Sequence, residues 1–156
     1  MDVGFSELGI EKDLVEELNN QGITEPFEIQ KITIPDILKG RDVCGKAKTG
    51  SGKTIAFGLP LVQLLPASKP GKPTGLALVP TRELAIQVCK ELEPLALKRN
   101  LIVRAIYGGS PIEKQIEALK ERRDKNGEKL NADQNEKISN EKNILQLVKE
   151  MESVIV

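Results

Sequence analysis

The chain has 156 residues, of which 39% are hydrophobic and 29% are charged, so it is long enough to form one globular domain with a substantial core. Its 23 basic and 23 acidic residues cancel, so any binding of nucleic acid must come from local groups and not from a basic field over the whole chain. The sequence has no histidine, which excludes a histidine-dependent catalytic triad and a histidine-ligated metal site.

The cysteines and the hydropathy predict a compartment. Cys44 and Cys89 lie in apolar segments far apart in the sequence, and we expect both to be buried, reduced thiols. The sequence contains no signal peptide and no apolar run long enough to span a membrane. It therefore predicts a soluble intracellular protein without a membrane partner, located in the cytoplasm, with the nucleus as the alternative.

Hydrophobic periodicity predicts two helices before the first strand. Residues 10–20 carry apolar side chains at helical spacing, and Gly22 ends that pattern. A second helix is predicted over residues 28–38, although Pro35 should kink or break it. A short apolar run at residues 43–44 follows and reads as the first strand.

Strands and helices alternate through the next part of the chain. The predicted elements are a helix over about 52–65, a buried strand over 75–79, a helix over 81–97, a strand over 101–107 and a helix over 110–120. Ser110 is the predicted N-cap of the last helix, and Glu113 completes a capping box with it. This alternation predicts an α/β fold with an open, mainly parallel sheet.

Residues 47–54, AKTGSGKT, are predicted to form a loop that binds the phosphates of a nucleotide. The stretch lies between a strand and a helix, where its glycines let backbone N–H groups turn towards phosphate oxygens. Lys53 can reach the β- and γ-phosphates, the Thr54 hydroxyl can ligate Mg²⁺, and the helix directs its positive dipole end at the same anion. The predicted contacts are Ala47, Thr49, Gly50, Ser51, Gly52, Lys53 and Thr54. The alternative is a glycine-rich turn, because the strict pattern requires glycine where Ala47 stands.

Three further motifs occur in order around this loop. The segment 22–30 ends in Gln30, the sequence PTRELA occupies residues 80–85 after the second predicted strand, and Gly108 and Gly109 follow the third. With these motifs, residues 5–120 resemble the first RecA-like domain of the DEAD-box ATP-dependent RNA helicases. That family's phosphate loop begins with alanine, so Ala47 matches it. The resemblance implies a three-layer RecA-like fold of the P-loop NTPase class, with ATP and Mg²⁺ as cofactors and Lys53 and Thr54 as catalytic residues.

The resemblance also implies a base-binding site for adenine. Gln30 corresponds to the glutamine of the family's Q motif, whose amide offers a donor and an acceptor side by side to the adenine edge. Phe5 matches the aromatic position that packs on the base in the family. Considered alone, Gln30 could also be a solvated glutamine at the start of a helix.

RNA is the partner that the remaining motifs imply. Pro80, Thr81 and Arg82 begin a helix beyond the end of a predicted strand, where N–H groups, a hydroxyl and a guanidinium can bind a phosphate. Gly108 and Gly109 let the RNA backbone come close in the family. Contacts of this kind do not reach base edges and imply little sequence preference. A capped helix with a surface arginine and a simple tight turn are the alternatives.

The resemblance ends near residue 120. The family's Thr-Pro-Gly-Arg, Asp-Glu-Ala-Asp and Ser-Ala-Thr motifs are absent from the 156 residues. We therefore assign residues 1–120 to a truncated, partial RecA-like domain, and residues 121–156 to a charged helical segment that ends in a short strand. An amphipathic pattern in this segment makes residues 121–152 a candidate contact for a protein partner.

Three functions are compatible with this sequence. The first is the ATP-binding core of a DEAD-box RNA helicase, which binds ATP and single-stranded RNA backbone but lacks efficient hydrolysis and unwinding, since phosphoryl transfer needs carboxylates that the acidic motif supplies in the family. The second is a non-hydrolysing regulatory module that binds adenine nucleotide and RNA and uses the tail for a partner. The third is a remnant without a biochemical role, whose open sheet edges invite aggregation. We favour the first.

Overall fold

The computed structural model of the chain describes residues 3–66 and 73–120, with side chains up to residue 118. This part contains five helices. They are α1 (Lys12–Asn20), α2 (Glu28–Leu38), α3 (Lys53–Leu64), α4 (Arg82–Lys98) and α5 (Ile112–Lys120). All five predicted helices are thus confirmed, with bounds that agree to within two residues. None of them is long and apolar enough to span a bilayer.

Prolines inside helices do not break them here. Helix α2 continues through Pro35, so the predicted break is wrong, and α3 and α4 contain Pro60 and Pro94 in the same way. A proline removes one hydrogen bond of the helix. Pro60 is fully buried, and packing of this kind compensates for the lost bond.

The predicted sheet is not formed among the described residues, where the segments 43–44, 75–79 and 101–107 all lie outside any strand. The predicted burial of 75–79 is also wrong, because Leu76 and Leu78 are more than half exposed. An apolar run makes a strand only when neighbouring strands satisfy its backbone groups and cover its side chains. The open, mainly parallel sheet therefore stays a prediction. The predicted helix and strand of the tail, with its partner contact, lie outside the described residues.

The burial of the two cysteines differs from the prediction. Cys44 is exposed and Cys89 is half-buried, so the prediction that both thiols are buried is wrong. Cys44 belongs to the first predicted strand, and without a sheet nothing there covers it.

The chain divides into two compact units. The first comprises residues 1–67 and 87–103, and the second comprises residues 68–86 and 104–156. Helix α4 begins in the second unit and ends in the first. The buried hydrophobic side chains of the described residues all belong to the first unit: Phe5, Leu8, Ile10, Leu14, Leu18, Ile34, Ile55, Ala56, Leu59, Val62, Val88, Leu92, Leu95, Ala96 and Leu101.

Helical spacing explains this core. Leu14 and Leu18 are four residues apart on α1, and both side chains are fully buried. Helix α4 buries Leu92 and Leu95, which are three residues apart and therefore also lie on one face of their helix. Gly58 on α3 has no side chain, and a methyl group there would lie 2.9 Å from Cδ1 of Leu92. The glycine thus allows α3 and α4 to approach each other closely.

Polar contacts attach α1 to the two longer helices of this unit. The Gln63 amide of α3 donates to the carbonyl of Gly9 and accepts from the N–H of Glu11, both at 2.9 Å. The Arg99 guanidinium contacts carboxylate oxygens of Glu11 and Asp13, again at 2.9 Å each. These contacts fix the start of α1 against the ends of α3 and α4.

Helix α1 also carries Glu17, a carboxyl whose pKa is lowered from its ordinary value. A hydrogen bond from Gln21 lowers the pKa of Glu17, and the Lys98 ammonium, 3.2 Å away, lowers it further. The Lys98 contact lies between α1 and α4 and supports the same packing.

A pair of leucines on α4 tests whether this core stabilises the chain. Leu95 is fully buried and Leu97 is 63% exposed. We expect Leu95→Ala to lower the free energy of unfolding by about 2–5 kcal/mol, because it leaves a cavity. Leu97→Ala, the matched control on the same helix, should change it by less than about 0.5 kcal/mol. Urea unfolding followed by circular dichroism measures both, and equal losses would contradict the assignment of the core.

Candidate functional site

The loop before α3 leaves the start of that helix open to an anion. Gly52 is the residue before the helix and has the left-handed conformation, with φ 77° and ψ 26°, and no side-chain hydrogen bond caps the helix. The first N–H groups of a helix have no partner within it, and together with the helix dipole they attract negative charge. The predicted phosphate loop therefore has the helix end that such a loop requires.

The side chains of Ser51 and Lys53 form hydrogen bonds to backbone carbonyls within the loop at residues 47–54. Lys53 Nζ donates to the carbonyls of Ala47 and Lys48, both at 2.7 Å. The Ser51 hydroxyl donates to the carbonyl of Lys48 at 2.7 Å, and the Ser51 N–H does so at 3.3 Å. The Lys53 ammonium thus lies on the loop carbonyls while its residue stays exposed to solvent, where it can turn to an incoming anion.

Gln30 connects α2 to this loop. Its side chain is 1% exposed, the amide oxygen accepts the N–H of Phe27 at 2.9 Å, and the amide nitrogen donates to the carbonyl of Gly52 at 2.9 Å. The hydrogen bond from the Phe27 N–H to Gln30 is one of the two bonds of a capping box. The reciprocal bond is not possible, because the side chain of Phe27 has no hydrogen-bonding group. The same Gly52 carbonyl also accepts the N–H of Ala56 in the first turn of α3. One buried amide thus joins the starts of two helices.

Gly52 is required here for two separate reasons. Its positive φ favours glycine, and a methyl group at this position would collide with the Gln30 amide nitrogen and lie 2.8 Å from Cδ2 of Phe27. Gly50 also has a positive φ, of 80°, but a methyl group there would meet no heavy atom within 4 Å.

The first unit brings Gln30 and the loop together, but it does not place every predicted contact residue beside the loop. Phe5 is 2% exposed and belongs to the core, so its role against a base stays a prediction. Thr54 is half-buried in the first turn of α3, and Thr49 is exposed. Phe27 was missed; it is 55% exposed and lies against Gly52. An aromatic residue three positions before Gln30 was the signal that could have identified it.

The second unit contains the other predicted contacts. Thr81 caps α4, because its hydroxyl oxygen accepts the N–H of Leu84 at 3.2 Å. This contact uses a lone pair and leaves the hydroxyl proton available to another acceptor. Arg82 is exposed, and its guanidinium carbon lies 4.7 Å from the centre of the Tyr107 ring. Pro80 precedes this helix start and is exposed.

Gly108 and Gly109 form an exposed turn directly after Tyr107. Gly109 has φ 77°, and a methyl group at either glycine would meet no heavy atom within 4 Å, so the backbone is open to a ligand. Helix α5 begins at Ile112, two residues after Ser110, so Ser110 does not hold the capping position that we predicted. The polar contacts of this turn come from Gln115, which sequence reasoning missed because a glutamine within a helix carries no local signal of its target.

The described residues contain no group of three or more histidine, cysteine, aspartate or glutamate side chains that could hold a metal ion. The predicted Mg²⁺ ligand, Thr54, thus has no cluster of protein carboxylates beside it in this part of the chain.

Comparison with known proteins finds similarity over most of the chain. The model of a family described as DEAD/DEAH box helicase matches residues 27–154, which extends beyond the point where the recognised motifs end. The chain is 46% identical over 116 residues to the ATP-dependent RNA helicase CshA of Listeria monocytogenes, covering 74% of this chain and 22% of that protein. It is 43% identical over 117 residues to CshA of Limosilactobacillus reuteri, covering 75% and 23%. The chain spans less than a quarter of the length of these relatives.

Solved structures agree with this similarity. A DEAD box protein from the hyperthermophile Methanococcus jannaschii is 39% identical with a TM-score of 0.65, covering 74% of this chain and 32% of the other. The RNA helicase Prp28 from Chaetomium thermophilum, bound to ADP, is 38% identical with a TM-score of 0.68, covering 74% and 29%. These two solved structures support a RecA-like fold for the part of the chain that they match.

Two glycine substitutions test the packing of the loop against Gln30. Alanine in a left-handed conformation costs about 1–2 kcal/mol, and this applies to both Gly50→Ala and Gly52→Ala. Only Gly52→Ala adds a collision with Gln30 and Phe27, so we expect its loss of unfolding free energy to exceed that of Gly50→Ala by about 1–3 kcal/mol. Urea unfolding of the two variants measures the difference, and equal losses would mean that Gln30 does not pack on the loop.

Proposed function

The chain belongs to the DEAD/DEAH box helicase family, and we propose that it binds ATP at residues 47–54 and the backbone of single-stranded RNA at residues 80–82 and 108–109, without efficient hydrolysis or unwinding by these 156 residues alone. The observation that carries the proposal is the open start of α3 behind a loop that Gln30 holds in position. The nucleotide site and the RNA site belong to different units of the chain.

The phosphates of ATP suit the first unit. The free N–H groups at the start of α3 can donate to phosphate oxygens, and Lys53 can exchange two backbone carbonyls for the more strongly charged β- and γ-phosphates. This exchange is favourable because hydrogen bonds between ionised groups are stronger than those to neutral carbonyls. Lys53 thus acts by neutralising and orienting the phosphates.

Adenine is the base that the surroundings of the loop favour. The Gln30 amide uses one donor and one acceptor on the protein, and an amide has two of each, so the second donor and acceptor can serve the adenine edge once binding of the base exposes this buried side chain. The exposed ring of Phe27 beside Gly52 offers a surface on which a base can pack. The solved relative Prp28 is bound to ADP, which is consistent with this choice.

Mg²⁺ fits this site mainly through the phosphate oxygens of the nucleotide, and not through a cluster of protein carboxylates. Thr54 supplies one hydroxyl, and Mg²⁺ is commonly bound by few protein ligands together with substrate phosphates. Thr54 would hold the ion together with the phosphate oxygens, and the bound ion would neutralise charge on the phosphates. Hydrolysis additionally requires groups that orient the attacking water, which the family's acidic motif supplies, and this motif is absent from the sequence.

RNA binding follows from the exposed groups of the second unit. The Thr81 hydroxyl and the Arg82 guanidinium can both donate to phosphate oxygens, and the open backbone at Gly108 and Gly109 allows close approach. These donors suit the sugar–phosphate backbone, so we expect binding with little preference for sequence.

The second candidate is a regulatory module that binds the same two ligands and uses residues 121–152 to contact a protein partner. It shares both binding sites with the first candidate and predicts no turnover in any context. Addition of the remaining part of a relative's domain in trans separates the two, because only the helicase core should then gain ATP hydrolysis that depends on RNA.

Removal of the Lys53 ammonium tests the nucleotide site. We expect Lys53→Ala to weaken ATP binding about tenfold or more, since a hydrogen bond to a charged group is worth about 1.5–3 kcal/mol. Lys39→Ala, an exposed lysine of the same unit outside the loop, should leave the affinity within about twofold. Isothermal titration calorimetry measures both. Absence of saturable ATP binding would overturn the site, and turnover well above the Lys53→Ala level would overturn the claim about hydrolysis.

Removal of the Arg82 guanidinium tests the RNA site. Arg82→Ala should weaken binding of a labelled oligouridylate about tenfold and lower the salt dependence of the affinity by about one phosphate contact. Lys12→Ala, whose side chain is 91% exposed on α1, is the control and should leave the salt dependence unchanged. Fluorescence anisotropy over a series of KCl concentrations measures both, and an unchanged affinity of Arg82→Ala would rule out this site.

A further inference from the structure

Gln115 pairs with the backbone of Tyr107 through both ends of its side-chain amide. Its oxygen accepts the N–H of Tyr107 at 3.0 Å, and its nitrogen donates to the carbonyl of Tyr107 at 3.0 Å. An amide side chain carries the same donor and acceptor as a peptide group. Gln115 thus replaces the neighbouring strand that Tyr107 lacks among the described residues. We call these two hydrogen bonds the Gln115 clamp.

The clamp extends across the glycine turn. The same amide nitrogen of Gln115 lies 3.4 Å from the carbonyl of Ser110, so the side chain contacts the residue before and the residue after Gly108 and Gly109. Glycines lose more conformational freedom on ordering than other residues do. A turn that is fixed at both ends therefore loses less entropy when a ligand binds to it.

The ring of Tyr107 supports the guanidinium of Arg82. The guanidinium carbon lies 4.7 Å from the ring centre, within the range at which a cation is attracted by an aromatic face. Arg82 is exposed, and an unsupported arginine there would sample many rotamers. The ring restricts the guanidinium to a position next to the turn that follows Tyr107.

We propose that Gln115 and Tyr107 are positioning residues of the RNA site, in which the Gln115 clamp fixes Tyr107 and the Tyr107 ring orients Arg82 towards an RNA phosphate beside Gly108 and Gly109. This inference rests on the proposed RNA binding by Arg82. It adds a specific cause for that binding, because helix α5, the turn and the start of α4 act together through one aromatic side chain.

The test is a double-mutant cycle on binding of a fluorescein-labelled oligouridylate to the full chain, measured by anisotropy at several KCl concentrations. Tyr107→Leu removes the aromatic face and should weaken binding about two- to fivefold, which corresponds to the strength of an exposed cation–π contact. Tyr107→Phe retains the face and should restore the affinity to within about twofold. The double variant Arg82→Ala with Tyr107→Leu should bind no more weakly than Arg82→Ala, because the ring acts only through the arginine.

Gln115→Glu tests the clamp. It keeps an acceptor for the N–H of Tyr107 but directs a second acceptor at the carbonyl of Tyr107, so it should weaken binding as Tyr107→Leu does. Binding of ATP by the first unit should stay unchanged in both variants, which separates this effect from general unfolding.

Two results would overturn the inference. Full affinity of Tyr107→Leu would show that the ring does not orient Arg82, and losses that add to that of Arg82→Ala would show that the ring acts independently or only maintains the fold. An unchanged affinity of Arg82→Ala itself would instead overturn the proposed RNA site. If Gln115→Glu does not fold, the Tyr107 cycle alone decides the outcome.

Discussion

The hydrogen bond from the Gln30 amide to the Gly52 carbonyl is the contact on which the nucleotide site depends. Gln30 is one of few buried polar side chains in the described core, and leaving such a group without partners costs about 1–3 kcal/mol. The bond therefore ties the start of α2 to the residue that precedes α3. Because Gly52 is held in a left-handed conformation directly before Lys53, the same bond determines where the helix end and the lysine are presented to a phosphate. The buried amide of Gln30 thus serves both the recognition of a base at α2 and the recognition of phosphates at α3.

Each unit of the chain uses the same device to present flexible backbone to a ligand. Gln30 holds the glycine loop of the first unit, and Gln115 holds the turn at Gly108 and Gly109 in the second. In both cases a side-chain amide satisfies backbone groups that no neighbouring strand satisfies among the described residues. Glycine allows the backbone to come close to an anion, and the glutamine limits the conformational freedom that glycine introduces.

The helices were predictable because their signals are local. Apolar spacing and the residues at the ends of each pattern placed all five helices to within two residues, even where Pro35 argued for a break. The strands were not predictable in this way, because a strand depends on partners that are distant in sequence. Leu76 and Leu78, for example, are exposed where a buried strand was expected. The phosphate loop and Gln30 could be recognised as motifs. The contact between Gln30 and the loop and the support of Arg82 by Tyr107 could not be predicted, since each joins residues that only the folded chain brings together.

The central claim is that Gln30 organises the phosphate loop in addition to its predicted contact with the base. Binding of inorganic tripolyphosphate, which has no base, to the unaltered chain and to Gln30→Ala tests this claim directly by isothermal titration calorimetry. If Gln30 holds Gly52 in position, its loss should weaken binding of tripolyphosphate by about tenfold for a lost buried hydrogen bond, and binding of ATP by at least as much, since ATP also loses the contact with the base. An unchanged affinity for tripolyphosphate, together with weaker binding of ATP, would contradict the account and restrict Gln30 to the base.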